Sequence, residues 1–280
     1  MDRCFYARRL LRLFRVKSLR PGDKEDKDLH KELQIKMKKN WEDVLSLYVD
    51  RTISPDGRDT FESTQVLSNR IFDFASIKTG DMILDLGCGW GKSLQPFVSR
   101  FRSVIGVDIS KENIARAKAV YAQEAHVSFM SGCIQDLELP KNSADLIISS
   151  LVQHQVNRAD WSKLFKAVAQ AMKADGEMVM ADEVILFDPE AYPERFDEVY
   201  RYLLERTTPA DVYEHHIKPY LKEEHIYTWQ DMKENTLPEY WFYSVKDLKS
   251  TLKNAGLELT DVQDITPFFG LLKIRHQTIS

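Results

Sequence analysis

The chain has 280 residues, 43 % hydrophobic and 29 % charged, with a formal net charge of −4 at neutral pH. That length accommodates one α/β domain with additions, the charge balance excludes a global polyanion-binding surface, and no apolar run approaches the roughly 18 residues that span a bilayer. Cys4, Cys88 and Cys133 lie far apart without a CxxC pair, which argues for a reducing compartment and against a zinc site or disulfide framework.

In chain order, the N-terminus interleaves Arg8, Arg12 and Arg15 with Tyr6, Leu10, Leu11, Leu13 and Phe14 on opposite sides of a helical wheel. This is an imperfect basic amphipathic helix, suited to an anionic membrane, to an organellar presequence, or to packing on the domain. Pro21-Gly22 breaks the pattern, and residues 24–39 mix both charge signs as an exposed helix or linker does. Residues 1–40 therefore read as an extension. The expected location is cytoplasmic, or membrane-peripheral or organellar if residues 1–22 contact a membrane.

From Met82 the pattern alternates. Met82–Leu86 is a short apolar run followed by glycines and an expected helix near Ser93–Arg100. Ser103–Val107 is a second run, followed by a helix over Glu112–Glu124, and two such units in succession predict a parallel sheet. Val127–Met130 and Leu146–Ser149 supply further strands. Trp161–Met172 has amphipathic helical spacing with Asp160 placed as N-cap and Asp175-Gly176 as its end. Glu177–Ala181 is a fifth strand. Ser244 and Asp247 form a capping box ahead of a helix that runs to Gly256, and Glu258–Ile265 with Phe268–Ile274 predicts a terminal β-hairpin. Between the fifth strand and Ser244 lie about 55 residues rich in Tyr, Trp and His, at the edge where open α/β sheets bind ligands. They are expected to form a helical lid.

The turn Asp85-Leu86-Gly87-Cys88-Gly89-Trp90-Gly91 carries the most chemistry. Its strand-to-helix setting predicts backbone amides and a helix N-terminus facing a ligand. A dinucleotide fingerprint needs its third glycine at position 92, which is Lys92, and an acid precedes the first glycine. Pyrophosphate disfavours a nearby carboxylate, whereas the ammonium and sulfonium of S-adenosylmethionine favour one. Asp108 ends the next strand, where a carboxylate accepts both ribose hydroxyls, and Ile109 behind it is placed to cover one face of an adenine.

On Ile83-Leu84-Asp85-Leu86-Gly87-Cys88-Gly89-Trp90-Gly91, and more weakly on Gly106-Val107-Asp108-Ile109-Ser110, Asp145-Leu146-Ile147-Ile148-Ser149 and Met172-Lys173-Ala174-Asp175-Gly176, the sequence resembles the class I S-adenosylmethionine methyltransferases. The likeness covers about Thr79 to Asp182 and lies with the small-molecule branch that includes ubiquinone, menaquinone and phosphobase enzymes. It implies a doubly wound, seven-stranded, mostly parallel α/β sheet of the Rossmann-like type over 41–280, its last strand antiparallel, with the lid inserted at about 186–243. It implies S-adenosyl-L-methionine as cofactor, with Ser149 and Leu151 near the methionine part. In Gly132-Cys133-Ile134-Gln135-Asp136-Leu137 the branch usually has an aspartate after the glycine for the adenine amino group; here Cys133 stands there, which leaves backbone, Gln135 or Asp136. The expected cofactor contacts are thus Asp85, Gly87, Cys88, Gly89, Gly91, Asp108, Ile109, Cys133, Ile134, Gln135 and Ser149.

Methyl transfer from a sulfonium is an in-line displacement that needs alignment and water exclusion, and a base when the acceptor carries a proton. His154, after the fourth strand, is the candidate base; Asp182 and Glu183 either face the pocket or cap the lid. The lid aromatics Tyr213, Tyr220, Tyr227, Trp229, Tyr240, Trp241 and Tyr243 suit a ring-shaped, apolar or cationic acceptor or hold the lid together. His215, His216 and His225, beside Glu214, Glu223 and Glu224, match no ligand motif, so no metal is expected. The leading expectation is methyl transfer to a small-molecule or lipid-like acceptor such as a quinone precursor, phenol or amine, without nucleic acid as partner. RNA or protein methylation lacks an (N/D)PP(Y/F/W)-type motif here, and a cofactor-binding protein without methyl transfer is the third reading.

Overall fold

A computed structural model of the protein describes residues 64–136, 140–207, 213–222, 225–235 and 242–278. The basic helix expected within residues 1–22, and the extension as a whole, lie outside them. The described chain divides into two compact units, one comprising residues 63–186 with 243–280, the other centred on Phe187–Phe242.

The first unit opens with helix α1 (Thr64–Phe74), then β1 (Gly80–Leu86), β2 (Phe101–Asp108), α2 (Lys111–Val120), β3 (Val127–Ser131), β4 (Ala144–Ser150), α3 (Arg158–Ala171) and β5 (Met172–Glu183). The seven strands are ordered β3-β2-β1-β4-β5-β7-β6, where β6 is Leu257–Thr266 and β7 is Phe269–His276. β1 to β5 pair in parallel and β7 runs antiparallel to β5 and β6, so the implied sheet and the terminal hairpin are both present. The order reverses between β1 and β4, which opens a crevice at their C-terminal ends.

Residue patterns account for these elements. Ile147 and Ile148 in the middle of β4 are buried on both faces, as a central parallel strand requires. In α3, Trp161, Leu164, Phe165 and Val168 fall at helical spacing and pack with Leu248 and Leu252 of the helix Val245–Asn254, against Leu84, Ile147 and Met180 of the sheet. Each such side chain contributes roughly 1.5–3 kcal/mol on burial. The helix Val245–Asn254 starts on the expected capping box of Ser244 and Asp247, and Gly256 follows at φ +74°.

Three expectations are corrected. Residues 93–100 form turns and a short 3-10 segment, Val98–Arg100, rather than an α-helix. Pro96 has no N–H to close a bond to Lys92 and disfavours helical geometry at Gln95, so the segment is held by Gln95 N–H to Lys92 O (3.1 Å) and Phe97 N–H to Leu94 O (2.8 Å). α3 starts three residues earlier than expected, capped by Asn157, whose side chain accepts from Ala159 N, with Asp160 inside the first turn. Asp175-Gly176 lies within β5 at a register irregularity, where a Cβ on Gly176 would stand 2.9 Å from Ala144 O.

The second unit contains α4 (Pro193–Thr207), a π-helical turn (Tyr213–Ile217), a 3-10 turn (Lys218–Lys222) and α5 (Trp229–Asn235), with the helix Val245–Asn254 of the first unit then numbered α6. It has its own aromatic core: Phe196 meets Trp229 edge-on at 5.0 Å, and Tyr200 meets Tyr227 and Phe242 at 6.2 and 5.8 Å. Asp197 accepts from Trp229 N (2.7 Å) and Arg201 donates to Ile226 O (2.7 Å). Tyr227 and Trp229 therefore hold this unit together. Tyr243 belongs to the sheet unit, while Tyr240 and Trp241 lie outside the described residues. Among the described residues no helix is long and apolar enough to cross a membrane, and no group of three His, Cys, Asp or Glu side chains stands close enough to hold a metal ion.

Candidate active site

The glycine turn after β1 is closed on itself. Gly87 N and Cys88 N both donate to Val107 O (2.7 and 2.9 Å), Gly89 N to Asp108 Oδ2 (2.9 Å) and Gly91 N to Cys88 O (2.8 Å). The expectation that these amides meet a ligand is therefore corrected: those of Gly87, Cys88 and Gly89 are spent on joining the turn to β2, and that of Gly91 on closing the turn. The same holds for the helix N-terminus, since no α-helix follows.

The glycines serve steric ends instead. A Cβ on Gly87 would sit 2.2 Å from Val152 Cγ2, and one on Gly91 would sit 2.7 Å from the Tyr121 ring, whose hydroxyl donates to Gly91 O at 2.6 Å. Gly89, at φ +53°, has nothing within 4 Å of its missing Cβ. That open flank, bordered by Asp108, is where a ligand can lie against backbone. Outside the turn, Trp90 carries the Lys92 ammonium and the Arg116 guanidinium over its ring, at 4.4 and 4.2 Å.

Asp108 lies at the end of β2, with Oδ1 accepting from Ser110 N (2.8 Å) and Oδ2 from Gly89 N. Two oxygens offer about four acceptor positions, so Oδ2 retains one for a hydroxyl, while the second position of Oδ1 is met only by a long bond from Asn113 Nδ2. Asn113 reaches Oδ1 at 3.5 Å, a neighbour visible in sequence only as the third residue of α2. Ile109, immediately after, leaves 43 % of its surface exposed, an apolar face of the kind a nucleobase covers. The stretch 132–135 is tied to Asp108 through Gly132 N to Asp108 O (3.0 Å). Within it Ile134 is buried while Cys133 and Gln135 are half-buried; burial pushes the Cys133 thiol up. Asp136 pairs with Lys163 at the surface (2.7 Å).

Beneath the turn, Asp85 and Cys88 are core residues. Cys88 sits under Gly106, and its thiol is pushed far up by burial. Asp85 is fully buried, with Oδ2 accepting from Ser93 Oγ (2.5 Å) and Oδ1 without a hydrogen-bond partner. Burial raises its pKa to about 7, against the opposing Ser93 bond and with help from the charge of Asp108. Because its folded value lies above the unfolded one, the protonated form favours folding, and stability is lost as pH rises from about 4 through about 7. Thermal unfolding of the ligand-free protein between pH 5 and 8 is expected to show this fall, worth a few kcal/mol, and Asp85→Asn should flatten it. Identical pH slopes in both proteins would refute the assignment.

On the other side of the crevice, Ser149 Oγ donates to Leu86 O (3.1 Å), joining the ends of β1 and β4. Leu151 takes φ +59°, a costly conformation for a leucine that turns the chain off β4. His154 is buried, and both its backbone N–H and its ring Nδ1 bond the carboxylate of Asp182 at the end of β5. Tyr243 donates its hydroxyl to the same carboxylate at 2.8 Å. Of the alternatives read from sequence, Asp182 thus faces His154, and Tyr243 is a buried partner of the pair packed on Trp161.

Residues 83–176 match the family model described as a methyltransferase domain. An uncharacterized methyltransferase, YcgJ, from Bacillus subtilis is 27 % identical over 146 residues, covering 51 % of this chain and 53 % of that protein. A ubiquinone biosynthesis O-methyltransferase from Nitrobacter winogradskyi is 34 % identical over 101 residues, 35 % of this chain and 37 % of that one. The chain thus spans about half the length, or less, of these curated relatives. Among solved structures, an S-adenosylmethionine-dependent methyltransferase from Mesorhizobium loti shares the fold with a TM-score of 0.51 at 22 % identity, over 74 % of this chain and 96 % of that chain.

Proposed function

We propose that this chain, whose residues 83–176 match the methyltransferase domain model, is a class I S-adenosylmethionine-dependent methyltransferase that transfers a methyl group to a small-molecule or lipid-like acceptor. The observation that carries this reading is the open flank of Gly89 beside the spare acceptor position of Asp108 Oδ2, at the crevice where strand order reverses. Asp108 holds the ribose hydroxyls, Ile109 and the 132–135 stretch border the adenine, and Ser149 keeps the methionine end of the crevice in register. S-adenosylmethionine is the cofactor and supplies the methyl group as an electrophile. The fit is supported by two observations: an apolar side chain exposed next to Asp108, and a buried Asp85 oxygen with no hydrogen-bond partner.

The similarity to a ubiquinone biosynthesis enzyme extends over 101 residues, 35 % of this chain and 37 % of that one, so it supports the donor more than the acceptor. The insertion at residues 187–242 departs from the chain after the C-terminal end of β5. RNA, protein and non-transferring readings gain no specific observation here. Calorimetry with S-adenosylhomocysteine is expected to give a Kd in the micromolar range, and ligand at about 100 times Kd should stabilise the fold by about 2.7 kcal/mol. With S-adenosylmethionine and a panel of quinols, phenols and amines, S-adenosylhomocysteine should accumulate. Cofactor binding with a silent panel would favour the non-transferring reading, and absent binding would end the proposal.

A further inference from the structure

We infer that Asp85 couples the charge of the methyl donor to a proton: it is ionised beneath S-adenosylmethionine and protonated beneath the demethylated product, so that binding the donor expels a proton and binding the product does not. This rests on the methyltransferase reading above. It adds no contact to that reading, since Asp85 is fully buried and acts through its charge.

Asp85 lies near the C-terminal end of β1, flanked in the sheet by Gly106 of β2 and Ile148 of β4. The carbonyl of the next residue, Leu86, accepts from Ser149 Oγ (3.1 Å), which puts Asp85 one residue from the end of the crevice assigned to the methionine part. Little in the protein supports its charge. Ser93 Oγ donates to Oδ2 (2.5 Å), and Oδ1 has no hydrogen-bond partner. The titratable groups around it are acids: Asp108 from β2, the Cys88 thiol from the turn and the Tyr121 hydroxyl from the end of α2. Burial first, and the Asp85 charge second, push that thiol and that hydroxyl up. From β4 come Ile148 and Ser149, neither of them charged. The cations of this region, Lys92 and Arg116, stand over the Trp90 ring. Among the described residues the one charge that acts on Asp85 is that of Asp108, a second carboxylate.

A buried carboxylate without a countercharge keeps its proton; burial, aided by Asp108, raises the Asp85 pKa to about 7. A unit positive charge within several ångströms favours the ionised form by roughly tenfold or more. S-adenosylmethionine carries an ammonium, a carboxylate and a sulfonium, whereas S-adenosylhomocysteine lacks the sulfonium. At a distance the ammonium and carboxylate of the amino-acid end oppose each other, which leaves the sulfonium as the unopposed charge. For Asp85, donor and product differ by that charge. The donor binds best to the ionised protein, so its affinity rises with pH through about 7 and then levels off, while that of the product stays flat. Above neutrality the site thus favours the donor over the spent product, and in acid the preference fades.

The test is calorimetry on the full chain at pH 6.5 in PIPES and in imidazole, whose different heats of ionisation report the protons exchanged. S-adenosylmethionine is expected to release about half a proton per site, and S-adenosylhomocysteine less than about a fifth. Between pH 5.5 and 8 the Kd for S-adenosylmethionine should fall about tenfold, and that for S-adenosylhomocysteine should change by less than about twofold. Asp85→Asn should abolish both the release and the pH dependence. Because the Ser93 bond favours the ionised form, Ser93→Ala should move the midpoint of the donor's pH profile upward, and this variant decides if Asp85→Asn does not fold. Donor binding without proton release, equal release with both ligands, release that persists in Asp85→Asn, or an unmoved midpoint in Ser93→Ala overturns the inference. Binding of neither ligand at any pH refutes the methyltransferase reading, and the inference falls with it.

Discussion

Replacing Asp108 by alanine is expected to weaken binding of S-adenosylhomocysteine by about 10²–10⁴-fold, since two hydrogen bonds to a carboxylate are worth about 1.5–3 kcal/mol each. The residue also receives Gly89 N and Ser110 N, so its loss loosens the turn as well. The two effects separate with a ligand that lacks the 2′-hydroxyl. The parent protein should distinguish S-adenosylhomocysteine from its 2′-deoxy analogue by tenfold or more, and Asp108→Ala should bind the two alike. Equal weakening of both ligands, with discrimination retained, would make Asp108 a loop residue and sink the ribose assignment.

The second large effect lies at the opposite end of the sheet. Glu177 in β5 is fully buried; its Oε1 accepts from Ser76 N (2.5 Å) and Ile77 N (2.8 Å), and its Oε2 accepts from Arg275 (2.8 Å). One side chain thereby anchors the α1–β1 connection to β5 and β7. Glu177→Ala strands two backbone donors and an arginine, a loss of about 3–5 kcal/mol. For a chain of this size that corresponds to a fall in Tm of roughly 6–15 °C. Glu177→Gln keeps Oε1 and should recover about half of the loss, by the lower worth of a neutral acceptor. Cofactor affinity below the transition should not change in either variant, because Glu177 lies far down β5 from Asp182. A Tm within 2 °C of the parent would show that water replaces the carboxylate at the Ser76 and Ile77 amides.

Most of the sheet is legible in the sequence, and much less of the site. Strand runs such as Met82–Leu86 and Leu146–Ser149 stand out because a buried parallel strand is apolar without interruption. The capping box at Ser244 and Asp247 is legible because it is local. Pro96 carries its own signal, a missing N–H that suffices for the turns at 93–100, but the strand-to-helix setting usual for a glycine turn points the other way. The occupied amides of Gly87, Cys88 and Gly89 leave no trace in the sequence, since their acceptors, Val107 and Asp108, are supplied by register between strands. The partner of Asp182 is hidden for the same reason. Tyr243 stands 61 residues away and has no spacing that relates it to β5; only the sheet brings them together.

The three glycines of the turn after β1 leave different marks on a lineage. Gly87 and Gly91 answer to packing against Val152 and Tyr121, so any descendant that still folds must keep them. Gly89 donates its N–H to Asp108 and turns at φ +53°, which favours glycine but admits Asn or Asp, and no atom of the protein stands where its Cβ would, so the ligand alone excludes such a side chain. A descendant that abandons the cofactor is therefore free to lose the middle glycine first, and that loss marks it as a non-binder ahead of any assay.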